Sequence, residues 1–448
     1  MNQRWTLHVE NFARIKSADI EIAPLMCFIG DNNSGKSYIM NLLWGIIANG
    51  REILQNLYRD YDKTEKCIRC NKWIEQNIGK TVTITDEVEQ MYIDWFNELL
   101  AQCKDEILRK TFNYDIKAGK IEIRNFSRTE KLSVHIWDAS KKFPERKQIH
   151  GSNIILEVHL DVAPLENWSL ILCWVLLMRD LVNVNSSILG EESPIYLPAS
   201  RTGLLLVHRL IASKSMKNIL SINSAENFQE KLTAPYVQFL DLLINFPNTT
   251  KIEDNKKLSL LNFIKSEIIH GSIKISEDVF TGKKIRYSPE DSENELPMSI
   301  TSSVVTEEAS LFLLLTTRLP LRLTIIEEPE AHLHPALQKK IAQLLIRFIH
   351  NGIPVWITTH SDTILQHFNN MIKLNNRSTE REELMQEFNY SDEDLLTSEE
   401  INLYQFERGE KHTDITKLES GKYGFVAPSF NKSIDKLMSE IFAFQEDE

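Results

Sequence analysis

The sequence is poor in several residue types, and each scarcity excludes a class of protein. It has 15 glycines and 14 prolines in 448 residues, which excludes collagen-like and low-complexity chains. Its five cysteines are too few and too scattered for a disulfide framework, and their odd number indicates a reducing compartment. The longest predominantly apolar run, residues 168–178, is far shorter than the roughly 20 residues of a membrane-spanning helix. We therefore expect a cytoplasmic globular protein of roughly two to four lobes, with no membrane partner.

Positive charge is also scarce. The chain has 51 lysines and arginines against 63 acidic residues, a formal net charge of −12. A protein that coats nucleic acid without sequence preference is usually basic, so a DNA contact would need a local patch. Residues 141–147 and 208–217 offer two such patches, although solvated loop and helix faces are the simpler interpretation. DNA therefore remains an open partner.

The best-defined motif lies near the N-terminus. Residues 30–37 read GDNNSGKS and match G-x-x-x-x-G-K-[ST] at every fixed position. They follow the apolar run 25–29 and open a helical pattern, which is the context that a phosphate loop requires. The Lys36 amine is expected to reach the β- and γ-phosphates, and the Ser37 hydroxyl to coordinate Mg²⁺. The predicted nucleotide-binding residues are Asn32, Asn33, Ser34, Gly35, Lys36 and Ser37.

Two later strand patterns end in residues that suit the same chemistry. Residues 321–326 run directly into two acids, where Glu327 is expected to hold the metal and Glu328 to orient the attacking water. The alternative is a pair of ordinary solvated carboxylates. His360 follows the next apolar strand pattern and could donate a hydrogen bond to the γ-phosphate, although a lone histidine at a strand end is more often structural.

Together these motifs resemble an ABC/SMC-type ATPase head, in the prokaryotic branch similar to the OLD (overcoming lysogenization defect) family. The resemblance is most specific at residues 326–335 (IEEPEAHLHP) and 359–361 (THS). It implies an α/β P-loop NTPase fold, with a mixed sheet around a central helix and a large inserted helical lobe with a small β region. ATP and Mg²⁺ are the cofactors that it implies.

The resemblance also implies an assembly. Ser302 and Ser303 match the signature segment that touches the nucleotide held by a partner protomer, although Val304 stands where the family has glycine. A homodimer or higher homo-oligomer follows from this assignment. Arg201 lies in a segment that recurs in these ATPases and is a candidate phosphate contact, with an exposed surface arginine as the alternative.

The biological role comes from the resemblance alone. We expect an ATP-hydrolysing sensor or regulator of an anti-phage defence or DNA-surveillance system, similar to the ATPase halves of the Septu and PARIS systems. The acidic run 392–394 does not have the surroundings of the TOPRIM nuclease of OLD proteins, so a separate nuclease or toxin would be the effector. One alternative is an ATP-locked scaffold that sequesters an effector. A transporter nucleotide-binding subunit is disfavoured because the Leu-Ser-Gly-Gly signature is missing.

Cys67 and Cys70 have the spacing of half a zinc site, although two ordinary helix cysteines are the simpler interpretation.

The motifs of the ATPase core divide the chain into five predicted ranges. The predicted ranges are the N-terminal part of the ATPase core at 1–50, the inserted helical and β lobe at 51–190, a core strand with a helical lobe at 191–295, the C-terminal part of the core at 296–375, and an acidic linker with a β/α segment at 376–448.

Overall fold

The structure is a computed structural model. It describes residues 1–59, 64–138, 154–160, 163–182, 194–208, 232–246, 254–278, 282–317, 321–377, 379–422 and 424–445. The strands are β1 Gln3–Phe12, β2 Ile15–Glu21, β3 Leu25–Gly30, β4 Thr81–Thr83, β5 Lys120–Arg128, β6 Ser133–Trp137, β7 Ile154–His159, β8 Ile195–Leu197, β9 Gly271–Asp278, β10 Gly282–Pro289, β11 Leu296–Pro297, β12 Thr324–Glu327, β13 Val355–Thr358, β14 Ile401–Arg408 and β15 Thr413–Leu418. The helices are α1 Lys36–Arg59, α2 Glu65–Gln76, α3 Asp86–Phe112, α4 Leu165–Met178, α5 Ala234–Ile244, α6 Asn255–Ile264, α7 Ser303–Leu315, α8 Pro335–His350, α9 Asp362–Asn375, α10 Arg381–Glu387 and α11 Pro428–Gln445.

The chain divides into two compact units, and neither is one stretch of sequence. The first comprises residues 1–22 and 42–194, and the second comprises residues 23–41 and 195–448. The predicted boundary at residue 50 does not coincide with this division. The reason is that β5 pairs antiparallel with β1, which joins the inserted region to the N-terminal strands.

The first unit contains two sets of three paired strands and four helical segments, which are α1 from residue 42 onward, α2, α3 and α4. In one set β1 lies between β5 and β2 and is antiparallel to both. In the other, β6 lies between β4 and β7. The side chain of Gln3 donates to the carbonyl of Leu177 at 2.6 Å and so ties β1 to α4. The predicted zinc alternative falls on α2, where Cys67 and Cys70 are both buried and neither forms a disulfide bond.

The second unit is built on a sheet in the order β15-β14-β3-β13-β12-β8. The five strands from β14 to β8 are parallel, and β15 runs antiparallel to β14 at the edge. Every residue of β3 is buried, which explains the continuous apolar run, because a strand in a covered parallel sheet needs apolar residues on both faces. The mixed α/β fold with a P-loop NTPase arrangement is confirmed.

The helices of this unit pack their apolar sides with the strands in one hydrophobic core. Residues of α7, α8 and α9 share that core with residues of β3 and β13. Polar caps start these helices: the Ser302 hydroxyl accepts from Val305 N, and the Ser361 hydroxyl accepts from Ile364 N. Since α9 begins directly after β13, its capped N-terminus lies at the carboxyl end of the parallel strands. Among the described residues, no helix has both the length and the apolar character needed to cross a membrane.

One glycine is required where β3 enters the phosphate loop. Gly30 has φ +126°, and a β-carbon placed there would lie 2.1 Å from the carbonyl oxygen of Phe406 on β14. That oxygen also accepts from the backbone N–H of Asp31 at 3.2 Å. The loop therefore begins at a point where two backbones approach more closely than any side chain allows.

Gly30→Ala should consequently destabilise the fold by about 1–3 kcal/mol, because the clash is with backbone that cannot move aside. Chemical denaturation measures this loss. Gly203→Ala is the matched control, since the space around Gly203 is open and its φ is ordinary. Equal stabilities of the two variants would contradict the close approach at β14.

Candidate nucleotide site

Strand register brings the separated sequence motifs together. In the parallel pairing, Phe28 of β3 is opposite Thr358 of β13, which is itself opposite Glu327 of β12. The carboxyl ends of the three strands therefore lie side by side at one edge of the sheet. The phosphate loop, the acidic pair and His360 all follow directly from these three ends, the place where open α/β sheets bind ligands.

The phosphate loop has a curled backbone. Asn33 has φ +58° and Gly35 has φ +100°, so two of its residues adopt the left-handed conformation that bends the chain around a centre. The Ser34 hydroxyl is buried and makes no hydrogen bond. Helix α1 begins at Lys36 and adds the positive end of its dipole. A curled loop that opens a helix has the geometry by which such loops bind anions.

Lys36 turns its amine into the loop. Its Nζ donates to the carbonyls of Gly30 at 2.9 Å and Asp31 at 2.8 Å. Burial lowers the pKa of this amine to about 8, and the acids around it, with Glu328 first, only partly offset that effect. A bound triphosphate would supply negative charge beside this buried amine.

The two glutamates after β12 differ in exposure. Glu327 is buried, and its Oε2 accepts from the backbone N–H of Ala199 at 3.1 Å. The side chain of Glu328 is 43% exposed, and its Oε1 lies 3.9 Å from Nε2 of His360. One carboxylate is thus fixed in the protein, and the other faces open space beside the histidine.

Glu328 has an unusual backbone. Its φ of +45° lies in the left-handed region, which costs energy for a residue with a β-carbon. Its N–H donates to the carbonyl of Thr358 at 2.8 Å, and its own carbonyl accepts from the N–H of Ala331 at 3.0 Å. Hydrogen bonds on both sides of the residue therefore hold it in this conformation.

His360 is held by a third acid. Its backbone N–H donates to Oε1 of Glu330 at 2.6 Å. Burial, followed by the charge of Lys36, lowers the pKa of the His360 ring, so the imidazole is neutral near pH 7. Burial also raises the pKa of Glu330. Sequence reasoning assigned no role to Glu330; its place in the acidic run 327–330 was the available signal.

Ser302 and Ser303 stand at the start of α7. Ser302 is the N-cap, and Ser303 is the first helical residue. Both belong to the second unit, and the contact predicted for them concerns a second copy of the chain, so it stays a prediction.

Arg201 is almost completely buried, at 2% exposure, so the surface-arginine interpretation is wrong. Its Nη1 donates to the carbonyl of Glu327 at 2.7 Å and its Nη2 to that of Glu328 at 3.2 Å. Its Nε forms an ion pair with Glu307 at 3.0 Å. These contacts are with protein atoms, and the phosphate contact predicted for Arg201 stays a prediction.

The predicted basic patches fall largely outside the described residues. This applies to residues 141–147 and, in the second patch, to Arg209, Lys214 and Lys217. His208 is described and is buried, with Nδ1 2.6 Å from the carbonyl oxygen of Leu205. DNA contact through these patches stays a prediction.

A second acid of α7 lies beside the same arginine. Glu308 is buried, and burial raises the pKa of its carboxyl from 4.5 to about 7, with Arg201 opposing this effect and Glu307 adding to it. Because the folded-state pKa is the higher one, its contribution to stability is fully present below about pH 4.5 and is lost as the pH rises through 7.

Glu308→Gln should remove this pH dependence. As the pH is raised from 5.5 to 8.5, the free energy of unfolding of the variant should increase by about 2–3 kcal/mol relative to that of the parent, because each pKa unit corresponds to about 1.4 kcal/mol. Urea unfolding at the two pH values measures the difference, with the exposed Glu387→Gln as the control. Parallel curves for parent and variant would show that Glu308 does not titrate in this range.

Lys36→Ala should weaken ATP binding by at least about tenfold, because it removes the amine that is predicted to bind the β- and γ-phosphates. Titration with a fluorescent ATP analogue measures the affinity. Lys373→Ala, which removes an exposed lysine of α9, should bind as the parent does. If Lys36→Ala bound ATP as tightly as the parent, the nucleotide site would lie elsewhere.

Two family models of ATPase domains match parts of the chain that contain these elements. A family model described as "AAA ATPase domain" matches residues 6–159, which include the phosphate loop. A second, described as "AAA domain, putative AbiEii toxin, Type IV TA system", matches residues 308–366, which include Glu327, Glu328 and His360. No curated protein matches the chain. The family matches support ATPase function in general.

Solved structures of SMC heads are also similar at low identity. The SMC head bound to the C-winged helix domain of ScpA is 11% identical, with 92% of this chain and 97% of that chain covered and a TM-score of 0.39. The SMC head domain from Thermotoga maritima is 11% identical, with coverages of 94% and 100% and a TM-score of 0.35. A head from Pyrococcus furiosus, bound to the C-terminal domain of ScpA, is 12% identical, with coverages of 97% and 98% and a TM-score of 0.35. The fold described above is defined by the sheet order and the phosphate loop, independently of these similarities.

Proposed function

We propose that this protein binds ATP with Mg²⁺ at the edge formed by β3, β13 and β12 and hydrolyses it to ADP and phosphate. The observation that carries the proposal is the strand register that brings the phosphate loop, Glu328 and His360 to one edge of the sheet. At that edge the Glu328 carboxylate lies 3.9 Å from the His360 ring. Three segments that are far apart in the sequence provide the three functions that phosphate transfer to water needs.

The phosphate loop binds the nucleotide. Backbone N–H groups of residues 32–37 surround the phosphates, and the dipole of α1 favours their negative charge. The Lys36 amine leaves the carbonyls of Gly30 and Asp31 and donates to phosphate oxygens instead. Burial disfavours the charged form of this amine and lowers its pKa. Negative phosphate oxygens beside the amine favour the charged form, so ATP binding should raise the pKa of Lys36.

The residues present fit a magnesium ion. Mg²⁺ prefers oxygen ligands, and the chain offers the exposed hydroxyl of Ser37 and the carboxylate of Glu327. Mg²⁺ in nucleotide sites is usually bound by one or two protein oxygens together with phosphate and water, and these two side chains would provide the protein oxygens. When bound, the ion neutralises charge on the phosphate oxygens.

Glu328 orients the attacking water and accepts its proton. The water oxygen forms a bond to the γ-phosphorus while the bond to the bridging oxygen breaks, and the electron pair of that bond leaves with ADP. The proton taken by Glu328 then passes to the released phosphate. The neutral ring of His360 donates a hydrogen bond to the γ-phosphate, and loss of that bond after hydrolysis reports the change.

The assembly and the biological role extend this proposal. Ser302 and Ser303, at the N-terminus of α7, would face the γ-phosphate held by a second copy in a homodimer or higher homo-oligomer. We further propose a cytoplasmic, ATP-controlled regulator of an anti-phage or DNA-surveillance system that acts with a separate nuclease or toxin. The family description that names a toxin of a type IV toxin–antitoxin system supports this role, as does the resemblance to OLD-type ATPases.

Glu328→Gln should lower the hydrolysis rate by about 10²–10⁴-fold, because the amide cannot accept the proton of the water. The affinity for ATP should stay within about threefold of the parent, since the phosphate loop is unchanged. Release of phosphate and nucleotide titration measure the two quantities, and Glu387→Gln on α10 is the matched control.

Hydrolysis by Glu328→Gln at the parental rate would show that this glutamate is not the base. The same variant can be assayed for protection of cells against phage. If it loses hydrolysis and still protects the cells, the protein acts as an ATP-locked scaffold that sequesters its effector. Loss of both hydrolysis and protection supports the regulator.

A further inference from the structure

Arg201 is a buried cation that the proposed chemistry does not use. It follows β8, which pairs parallel with β12 so that Leu197 is opposite Ile326. This register places the residues after β8 next to the residues after β12. A guanidinium is expensive to bury, and its burial here requires partners for its charge and its donors.

The partners of Arg201 belong to two different elements. Its two terminal nitrogens donate to the backbone carbonyls of Glu327 and Glu328, the two residues assigned to the metal and the water. Its Nε pairs with the carboxylate of Glu307, in the second turn of α7. One planar group thus joins the strand end that carries the catalytic acid to the helix that begins with Ser303.

The strained conformation of Glu328 explains why such a group is needed. The left-handed φ of this residue sets the direction in which its side chain leaves the backbone, and the conformation persists only while its surroundings hold it. Thr358 fixes the N–H side, and the N–H of Ala331 and the guanidinium of Arg201 fix the carbonyl side. Two of these contacts are made by side chains: the Thr358 hydroxyl accepts from the Glu328 N–H at 3.4 Å, and the Arg201 guanidinium donates to the Glu328 carbonyl at 3.2 Å.

We propose that Arg201 is a positioning residue for hydrolysis, holding the backbone of Glu327 and Glu328 so that the Glu328 carboxylate faces the phosphate loop. This inference rests on the proposed ATPase function and gives Arg201 a role other than the phosphate contact predicted from the sequence. Loss of the guanidinium releases the strained backbone, and the carboxylate then no longer orients the water. Misplacement of a catalytic group by about 1 Å can cost about a hundredfold in rate.

The test separates positioning from folding with full-length variants. Arg201→Met leaves the buried Glu307 without the guanidinium, with only the His332 ring 3.7 Å away, and should lower the melting temperature. Arg201→Met combined with Glu307→Gln removes both charges and should recover much of that temperature. Glu307→Gln alone is the matched control, because it removes the ion pair and keeps the donors to both carbonyls.

We expect the double variant to bind ATP within about threefold of the parent and to lose at least about tenfold in kcat, with Glu307→Gln close to the parent. Arg201→Lys should be intermediate, because one ammonium cannot replace three donors in a plane. The measurements are kcat from phosphate release, the Kd for ATP and the melting temperature.

Two results would overturn the inference while leaving the proposed function intact. A double variant with parental kcat would show that Arg201 serves folding alone, and a tenfold loss of ATP affinity would show a direct phosphate contact. Absence of ATP hydrolysis in the parent, or full hydrolysis by Glu328→Gln, would instead overturn the proposed function and this inference with it.

Discussion

The parallel pairing of β3, β13 and β12 is the constraint on which the rest of the site depends. These strands are only four to six residues long, yet each is buried along its length and held in register by its neighbours. The register decides where each strand ends, and the functional residues follow those ends immediately. A slip of one residue would turn every side chain to the opposite face and separate the acids from the phosphate loop.

Several residues at this edge have a positive φ. Gly30 and Gly35 take up positive φ values without strain because they have no β-carbon. Asn33, Glu328 and His332 take them up at a cost. For Glu328 the compensation is visible in hydrogen bonds from the neighbouring strand, from the following turn and from a buried arginine. These hydrogen bonds thus hold the Glu328 side chain in a direction that is unfavourable for an isolated peptide.

Local sequence patterns predicted the parts of the site whose chemistry is contained in a short segment. The phosphate loop needs fixed residues at fixed spacings, and the buried strands before it and before Glu327 are continuous apolar runs. Local patterns did not predict tertiary contacts. The pairing of β5 with β1 links residues more than a hundred positions apart, and this pairing joins the inserted region to the N-terminal strands. Arg201 was recognised as a candidate, but its burial and its carbonyl partners depend on three elements that no local pattern connects. Glu330 was overlooked for the same reason, since its partner is the backbone of His360.

The central claim is that the phosphate loop and the two glutamates form one site for ATP and its metal. It is tested most directly by an experimental structure of the protein with Mg²⁺ and a non-hydrolysable ATP analogue. The account predicts the triphosphate on the backbone amides of residues 32–37, the Lys36 amine moved from the carbonyls of Gly30 and Asp31 to phosphate oxygens, and the γ-phosphate facing Glu328. A nucleotide bound away from residues 30–37, or a Lys36 amine still donating to those two carbonyls in the complex, would contradict it.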